Sequence, residues 1–254
     1  MAKEESMQTV SRAIQVLKAF SVHDKELSLT ELSHKLGISK SSLQRILNTL
    51  TGEGFLEKDK RTKSYKLGIE LYYLGNLVET NSHLLSIAKR HMQQLNDQTG
   101  ETITLNIIYQ KKRKCIGYLP AKHELTTFPY ISKDSPLYAG ASAKTLLAYL
   151  PEETRNQLIH ELDLERITEN TITDKEELQN QLKTIREQGY AITIGERILG
   201  VYAISAPIKN RFNEVIASLT ITIPTIRVED SKIDRYIQMI LDCTNSISKE
   251  LGHH

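Results

Sequence analysis

The 254-residue chain is predicted to be an α+β protein with two domains. A three-helix unit closed by a small hairpin comes first. A connecting helix then leads to a larger domain of mainly antiparallel strands flanked by helices. Three observations carry this prediction. Apolar residues recur at helical spacing up to Leu50, the segment "GFLEKDKRTKSYKLG" alternates around a polar tip, and strand-like runs interleave with helices from residue 101 onward.

Composition sets the outer limits. With 39% hydrophobic and 25% charged residues the chain has ordinary globular make-up, enough for two domains. No run of 18 or more apolar residues is present, so no membrane span is expected. The start "MAKEESMQTVSRAI" lacks the basic-then-apolar pattern of a signal peptide. Cys115 and Cys243 are the only cysteines, which argues for a reducing, cytoplasmic setting and against a disulfide framework or a cysteine metal cluster. The net charge of +2 is unevenly spread: residues 1–68 hold 12 Lys and Arg against 8 Asp and Glu, a net of +4, leaving −2 for the rest. Within "EKDKRTKSYK" (57–66) five bases face two acids, which suits a polyanion and equally a solvated loop.

Taken in order, "VSRAIQVLKAF" forms a first helix with Val10, Ala13, Ile14, Leu17 and Phe20 as its apolar stripe. "SLTELSHKLG" forms a short second helix that begins with a capping box, Ser28 and Glu31 each meeting the other's backbone. Gly37 then suits the left-handed residue of a helix end, and Ser39 an N-cap for the third helix. Two helices joined by so short a Gly turn make a helix-turn-helix. On the third helix Leu43, Ile46, Leu47 and Leu50 share one stripe, while Ser41, Gln44, Arg45 and Asn48 face away with no acid among them. Two short strands follow, Phe55 and Leu56 leading in, Tyr65 and Leu67 leading out.

Three helices and a basic hairpin are the layout of a winged helix. In a helix-turn-helix the second helix of the motif enters the major groove of duplex DNA. Gln and Asn can pair with adenine, Arg with guanine and Ser with either, and an acid there would be repelled by phosphate. Ser41, Gln44, Arg45 and Asn48, with Ser42 beside them, are therefore the expected base-reading group. Lys40, Lys58, Lys60, Arg61 and Lys63 are expected to contact phosphates, with entry of Lys60 or Arg61 into a minor groove as the other reading.

"IELYYLGNLVETN" (69–81) is again helical, with Leu71, Leu74, Leu77 and Val78 on one stripe, and Asn81-Ser82 marks a break and a fresh cap. Such a stripe needs cover. A second copy of the chain is the simplest supplier, and packing against the chain's own domains is the other reading. Beyond Gly100, "ETITLNIIY" and "KCIGYLP" read as strands around "QKKRK", a basic hairpin tip of the kind an exposed turn tolerates. "SPLYAGASAKTLLAYLP" gives a helix, others follow near 152–160 and 174–188, three strands come after Gly189, and a last amphipathic helix covers about 229–251.

Two details bear on a binding pocket. In "ASLTITI" Ser218, Thr220 and Thr222 alternate strictly with Leu219, Ile221 and Ile223. The start "LYAGASAK" would let a ligand approach backbone N–H groups at a helix N-terminus, which favours an anion. Hydroxyls beside such an end suit a small carboxylate. A wet Thr face and a merely close-packed Ala/Gly run account for the same residues.

"SRAIQVLKAF", "SLTELSHKLGISKSSLQRILNTLTGEGFL", "YKLG", "SPLYAGASAKTLLAYLP" and "GYAITIGE…GVYAISAPI" together make the chain resemble the IclR-type transcriptional regulators along nearly its full length. The resemblance implies a GAF-like effector domain over 82–252 behind a DNA-binding domain over 1–68 and a linker over 69–81. It also implies homodimers or homotetramers, and control of transcription, foremost as a repressor, by a small metabolite, often an organic acid. Carried over by position, the effector site would involve Ala141 and Ser142, with Thr193, Ala203, Thr220 and Thr222 on the strands. The family commonly has Asp where Thr193 stands, a polar or thiol residue in some members at Ala203, and His at Tyr138, while Glu196 keeps its register.

A winged helix fused to an enzymatic domain is the second reading, and catalysis is not expected. There is no Gly-rich phosphate loop, no G-x-S-x-G, no HExxH and no cysteine pair at metal spacing, and no cofactor is implied. His23, His34, His83, His91, His123 and His160 are scattered. A winged helix that binds protein instead of DNA is the third reading, and its duplex binding would be insensitive to salt.

Overall fold

The computed structural model describes residues 7–21, 24–124 and 135–253, and the chain divides into two compact units, Met1–Asn81 and Ser82–His254. His23 lies outside the described residues. No helix among the described residues is long and apolar enough to cross a membrane.

In the first unit α1 (Gln8–Lys18), α2 (Leu29–Leu36) and α3 (Lys40–Gly52) enclose a core of Val16, Phe20, Leu32, Leu43, Ile46 and Leu47. The capping box forms as expected: the Glu31 amide donates to Ser28 Oγ at 3.3 Å and the Ser28 amide to Glu31 Oε2 at 2.7 Å. Gly37 closes α2 at φ +65°, a left-handed conformation that glycine adopts without strain. Ser39 stands at the N-cap of α3, but its hydroxyl lies 3.5 Å from Ser41 Oγ and makes no capping bond to the helix. The apolar positions of α1 are split between two faces. Val16, Ala19 and Phe20 are buried, whereas Val10 and Ile14, expected on the same stripe, are 51% and 47% exposed.

The wing consists of β1 (Leu56–Lys58) and β2 (Tyr65–Leu67), paired antiparallel, with Tyr65 also bridging to Leu27. Its return passes so close to the end of α3 that a Cβ on Gly68 would lie 2.0 Å from the Gly54 carbonyl oxygen. Helix α4 (Glu70–Thr80) follows, and none of its residues is buried. Leu74, Leu77 and Val78 are each about half exposed or more.

The second unit is built on one antiparallel sheet. Its strands are β3 (Thr102–Tyr109), β4 (Lys112–Leu119), β5 (Ala191–Ile194), β6 (Val201–Lys209) and β7 (Val215–Pro224), in spatial order β4-β3-β7-β6-β5. Helices α5 (His83–Thr99) and α9 (Asp230–Glu250) cover one face. There Ile103, Leu105, Ile204, Ala206, Leu219 and Ile221 meet Met92, Leu95, Ile240 and Ile247. The other face carries α6 (Ala141–Ala148), with α7 (Glu152–Glu161) and α8 (Lys175–Gln188) beyond it in a second core. Glu101, just before β3, is clamped by the Arg227 guanidinium at 2.7 and 2.6 Å, a bidentate pair that ties the strand's start to the turn after β7.

Because the Gly68 backbone already touches Gly54, a methyl group there must push two backbone segments apart. Gly68→Ala is expected to destabilise the first unit by about 1–3 kcal/mol. Urea unfolding followed through amide exchange of α3 measures this, and an unchanged midpoint would show that the two segments separate freely.

Candidate functional site

On α3 the residues opposite the core stripe stand outward. Lys40, Ser41, Arg45 and Asn48 are exposed, and Ser42 is half-buried on the side facing Thr9 and Ala13 of α1. Gln44 is also half-buried: its amide nitrogen donates to Asn48 Oδ1 at 2.8 Å and to Tyr65 Oη at 3.1 Å. A bidentate contact of Gln44 with adenine would require that amide to leave one of these partners. At the wing tip Asp59 accepts from the Arg61 and Thr62 amides, so the acid among the basic residues is turned into the loop. Those bonds hold the Asp59 carboxyl below its ordinary range. Lys58, Lys60, Arg61 and Lys63 all remain exposed. Lys63 reaches its place at the tip with φ +61°.

The second unit contains a hollow between the sheet and α6. Ala141, Ser142, Thr193, Ala203, Thr220 and Thr222 all line it, joined by Thr102, Thr104, Arg113 and Glu196. The threonine face of β7 is therefore not a wet surface. Ser218 and Thr220 are buried, and β3 lays Thr102, Thr104 and Asn106 beside them through the antiparallel register Thr102↔Thr222, Thr104↔Thr220, Asn106↔Ser218. Buried hydroxyls need partners, and these have them. Thr220 Oγ1 donates to Ser205 Oγ at 2.9 Å, and Ser205 Oγ donates to the Leu219 carbonyl at 3.0 Å.

The start of α6 is held by the chain itself. The Gly140 amide donates to Glu196 Oε2 and the Ala141 amide to Thr193 Oγ1, each at 3.0 Å. The other Glu196 oxygen accepts from the fully buried Lys144 ammonium, which also donates to Gln181 at 2.6 Å. Burial pulls the Lys144 ammonium below its ordinary pKa, and Glu196 draws it some of the way back. Thr193 thus satisfies one of the first amides of the helix. Tyr138 is buried with its hydroxyl donating to the Glu165 carbonyl at 3.0 Å.

One expectation fails at the tip between β3 and β4. Lys111, Lys112 and Lys114 are exposed, but Arg113 is 2% exposed. Gln110 and Lys111 form the turn at φ +50° and +59°, and strand alternation then points every second residue inward. The guanidinium donates to Asn106 Oδ1 and, at 2.8 Å, to Ser135 Oγ. Arg197 reaches the same Ser135 oxygen at 2.6 Å. Burial, and next the neighbouring Arg197 charge, push the Arg113 pKa down to about 10. The alternation of Thr102, Thr104 and Asn106 was the available signal for the lining that β3 supplies. A basic run gave none for Arg113.

His91 pairs with Glu250 at 2.8 Å on the far face of the sheet, and no cluster of three or more His, Cys, Asp or Glu side chains that could hold a metal occurs among the described residues. Both cysteines are free, and burial pushes the Cys243 thiol up to about 12.

Two family models match the chain: the IclR helix-turn-helix domain over residues 9–60, and the bacterial transcriptional regulator IclR C-terminal domain over residues 77–249. The HTH-type transcriptional regulator KdgR of Escherichia coli is 31% identical over 98% of this chain and 95% of its own. An IclR transcriptional regulator from Alicyclobacillus acidocaldarius, 28% identical, superposes with a TM-score of 0.87 over 97% of this chain and 100% of that one. An IclR homologue from Microbacterium hydrocarbonoxydans, 21% identical and complexed with 4-hydroxybenzoate, shares the fold with a TM-score of 0.82 over 96% of this chain and 98% of its own.

Removing one member of a buried ion pair strands the other's charge. Glu196→Ala is expected to destabilise the second unit by about 3–5 kcal/mol, whereas Lys144→Met with Glu196→Leu together should cost far less. Urea melts of both variants test this, and equal losses would contradict it.

Proposed function

The chain belongs to the IclR family of bacterial transcriptional regulators, and on that premise we propose how it works. Residues 1–68 bind a specific operator, 69–81 link, and 82–252 hold a small organic acid that changes operator affinity. Helix α3 enters the major groove, where Arg45, Asn48, Ser41 and, once released from Tyr65, Gln44 read base edges. Ser42 supports them, while Lys40, Lys58, Lys60, Arg61 and Lys63 meet phosphates. The observation that carries this reading is the outward α3 face, free of acids and flanked by a wing whose one tip acid is turned into the loop.

The protein acts in the cytoplasm as a repressor, as a homodimer or a homotetramer. The apolar surface of α4, with Leu74, Leu77 and Val78 half exposed or more, supports association with a second copy. The effector binds in the hollow under α6, against Ala141, Ser142, Thr193, Ala203, Thr220 and Thr222. Its named relatives are transcriptional regulators, and the proposal assigns no catalytic step.

A labelled duplex from upstream of the protein's own gene, titrated against a scrambled duplex at two salt concentrations, tests the DNA half. Preference for the native duplex with affinity falling steeply as salt rises is the expected result. Salt-insensitive binding would favour a protein partner for the winged helix. In the same assay Arg45→Ala should cost about 1–3 kcal/mol and relax preference at one base, whereas Arg61→Ala should weaken all sequences alike. Thr220→Val should abolish the response to an effector while operator affinity without effector stays at the wild-type value. An unaltered response would remove Thr220 from the site.

A further inference from the structure

Arg113 is a buried cation with no counter-ion among the described residues. At 2% exposure its guanidinium donates only to neutral oxygens, of Asn106 and Ser135, and its Nε is buried with no acceptor at all. The charged side chain closest to it in effect is Arg197, which repels it. A guanidinium taken out of water this way is costly unless an anion completes it, and unsatisfied buried donors are rare enough in proteins to need a reason. Arg113 lines the hollow under α6, and so does Arg197.

The first two amides of α6 are already taken in this chain. The Gly140 and Ala141 amides at the start of α6, where a helix N-terminus would ordinarily receive a carboxylate, already donate to Glu196 and Thr193. A ligand carboxylate there would have to displace one from Glu196, and would meet that negative charge on arrival. Hydroxyls of Thr102, Thr104, Thr220 and Thr222 line the same hollow.

We propose that Arg113 is the residue that selects the effector's charge: a carboxylate binds at its guanidinium, beside Arg197 and Ser135, and its neutral oxygens face the threonines. This rests on the reading that the hollow is the effector site, and it seats the anion on the Arg113 guanidinium instead of the Gly140 and Ala141 amides. The size of the hollow narrows the class. It measures about 50 Å³, and one water needs about 10–15 Å³ on the same scale. That space suits a small carboxylate, and the threonine hydroxyls suit further oxygens on it, as in a short-chain hydroxy or keto acid.

Thermal melting of the full-length protein tests the assignment, with sodium formate and acetate set against formamide and acetamide. Ionic strength is held by sodium HEPES, whose anion is too large for the hollow. The carboxylates are expected to raise the midpoint saturably and the amides not to. In Arg113→Met the half-saturating formate concentration should rise about ten- to a hundredfold, the loss of a charge-assisted pair. Crystals of the wild-type protein soaked in sodium bromide give an answer that does not depend on the variant's folding. An anomalous peak against the Arg113 guanidinium supports the proposal, and a peak at Gly140 and Ala141, or none in the hollow, overturns it. If Arg113→Met keeps the carboxylate response and Thr220→Val loses it, Arg113 is not the seat but the hollow remains the site. If neither variant alters the response, the anion binds elsewhere and both readings fall.

Discussion

The second unit depends on where α6 begins, and a single carboxylate fixes that point. Glu196 accepts from the Gly140 amide with one oxygen and from Lys144 with the other, so one side chain caps the helix and neutralises a charge one turn further along it. Lys144 has no solvent at all, and its ammonium would be untenable without this partner. The pair is thus less a source of net stability than a register device: any shift of α6 along the sheet would pull the buried ammonium and carboxylate away from each other. Ala141, Ala143 and Ala148 then let the helix lie against the strands, and the space left at its first turn is the hollow.

The sheet beneath has two chemically different faces. Toward α5 and α9 it presents Ile, Leu and Ala, and burying that surface, at about 25 cal/mol per Å² of apolar area, supplies the bulk of the unit's stability. Toward α6 it presents Thr102, Thr104, Asn106, Ser205, Ser218 and Thr220, all buried. A face of that kind costs desolvation and returns little beyond the hydrogen bonds that satisfy it. The antiparallel register puts these groups side by side, where Thr220 and Ser205 satisfy each other.

In the first unit the decisive constraint is a close approach of backbone to backbone. Gly68 passes the Gly54 carbonyl at a distance that no side chain permits, and the Gly68 amide donates to the Phe55 carbonyl at 2.8 Å. This pins the wing to the end of α3. Tyr65 reinforces it from the inside, pairing with the Leu27 backbone and holding Gln44 through its hydroxyl. The outward face of α3 and the wing are therefore presented as one set.

Local rules made much of this legible in advance. Helical spacing located α3 and its outward polar set, the Ser28 capping box and Gly37 placed α2, and strict alternation in "ASLTITI" put Thr220 and Thr222, which line the hollow, on one face, because each depends only on near neighbours. The split stripe of α1 was not legible, since Val10 and Ile14 differ from Val16 only in what lies opposite them. Nor could the sequence show that the threonine face is dry, that Thr193 and Glu196 rather than a ligand satisfy the start of α6, or that Arg113 points inward from a run of bases whose other members are exposed. Those outcomes were decided by tertiary structure alone. Burial and hydrogen bonding depend on partners tens of residues away, such as Ser135 for Arg113 and Glu196 for Lys144, and periodicity carries no information about what a strand or helix will face.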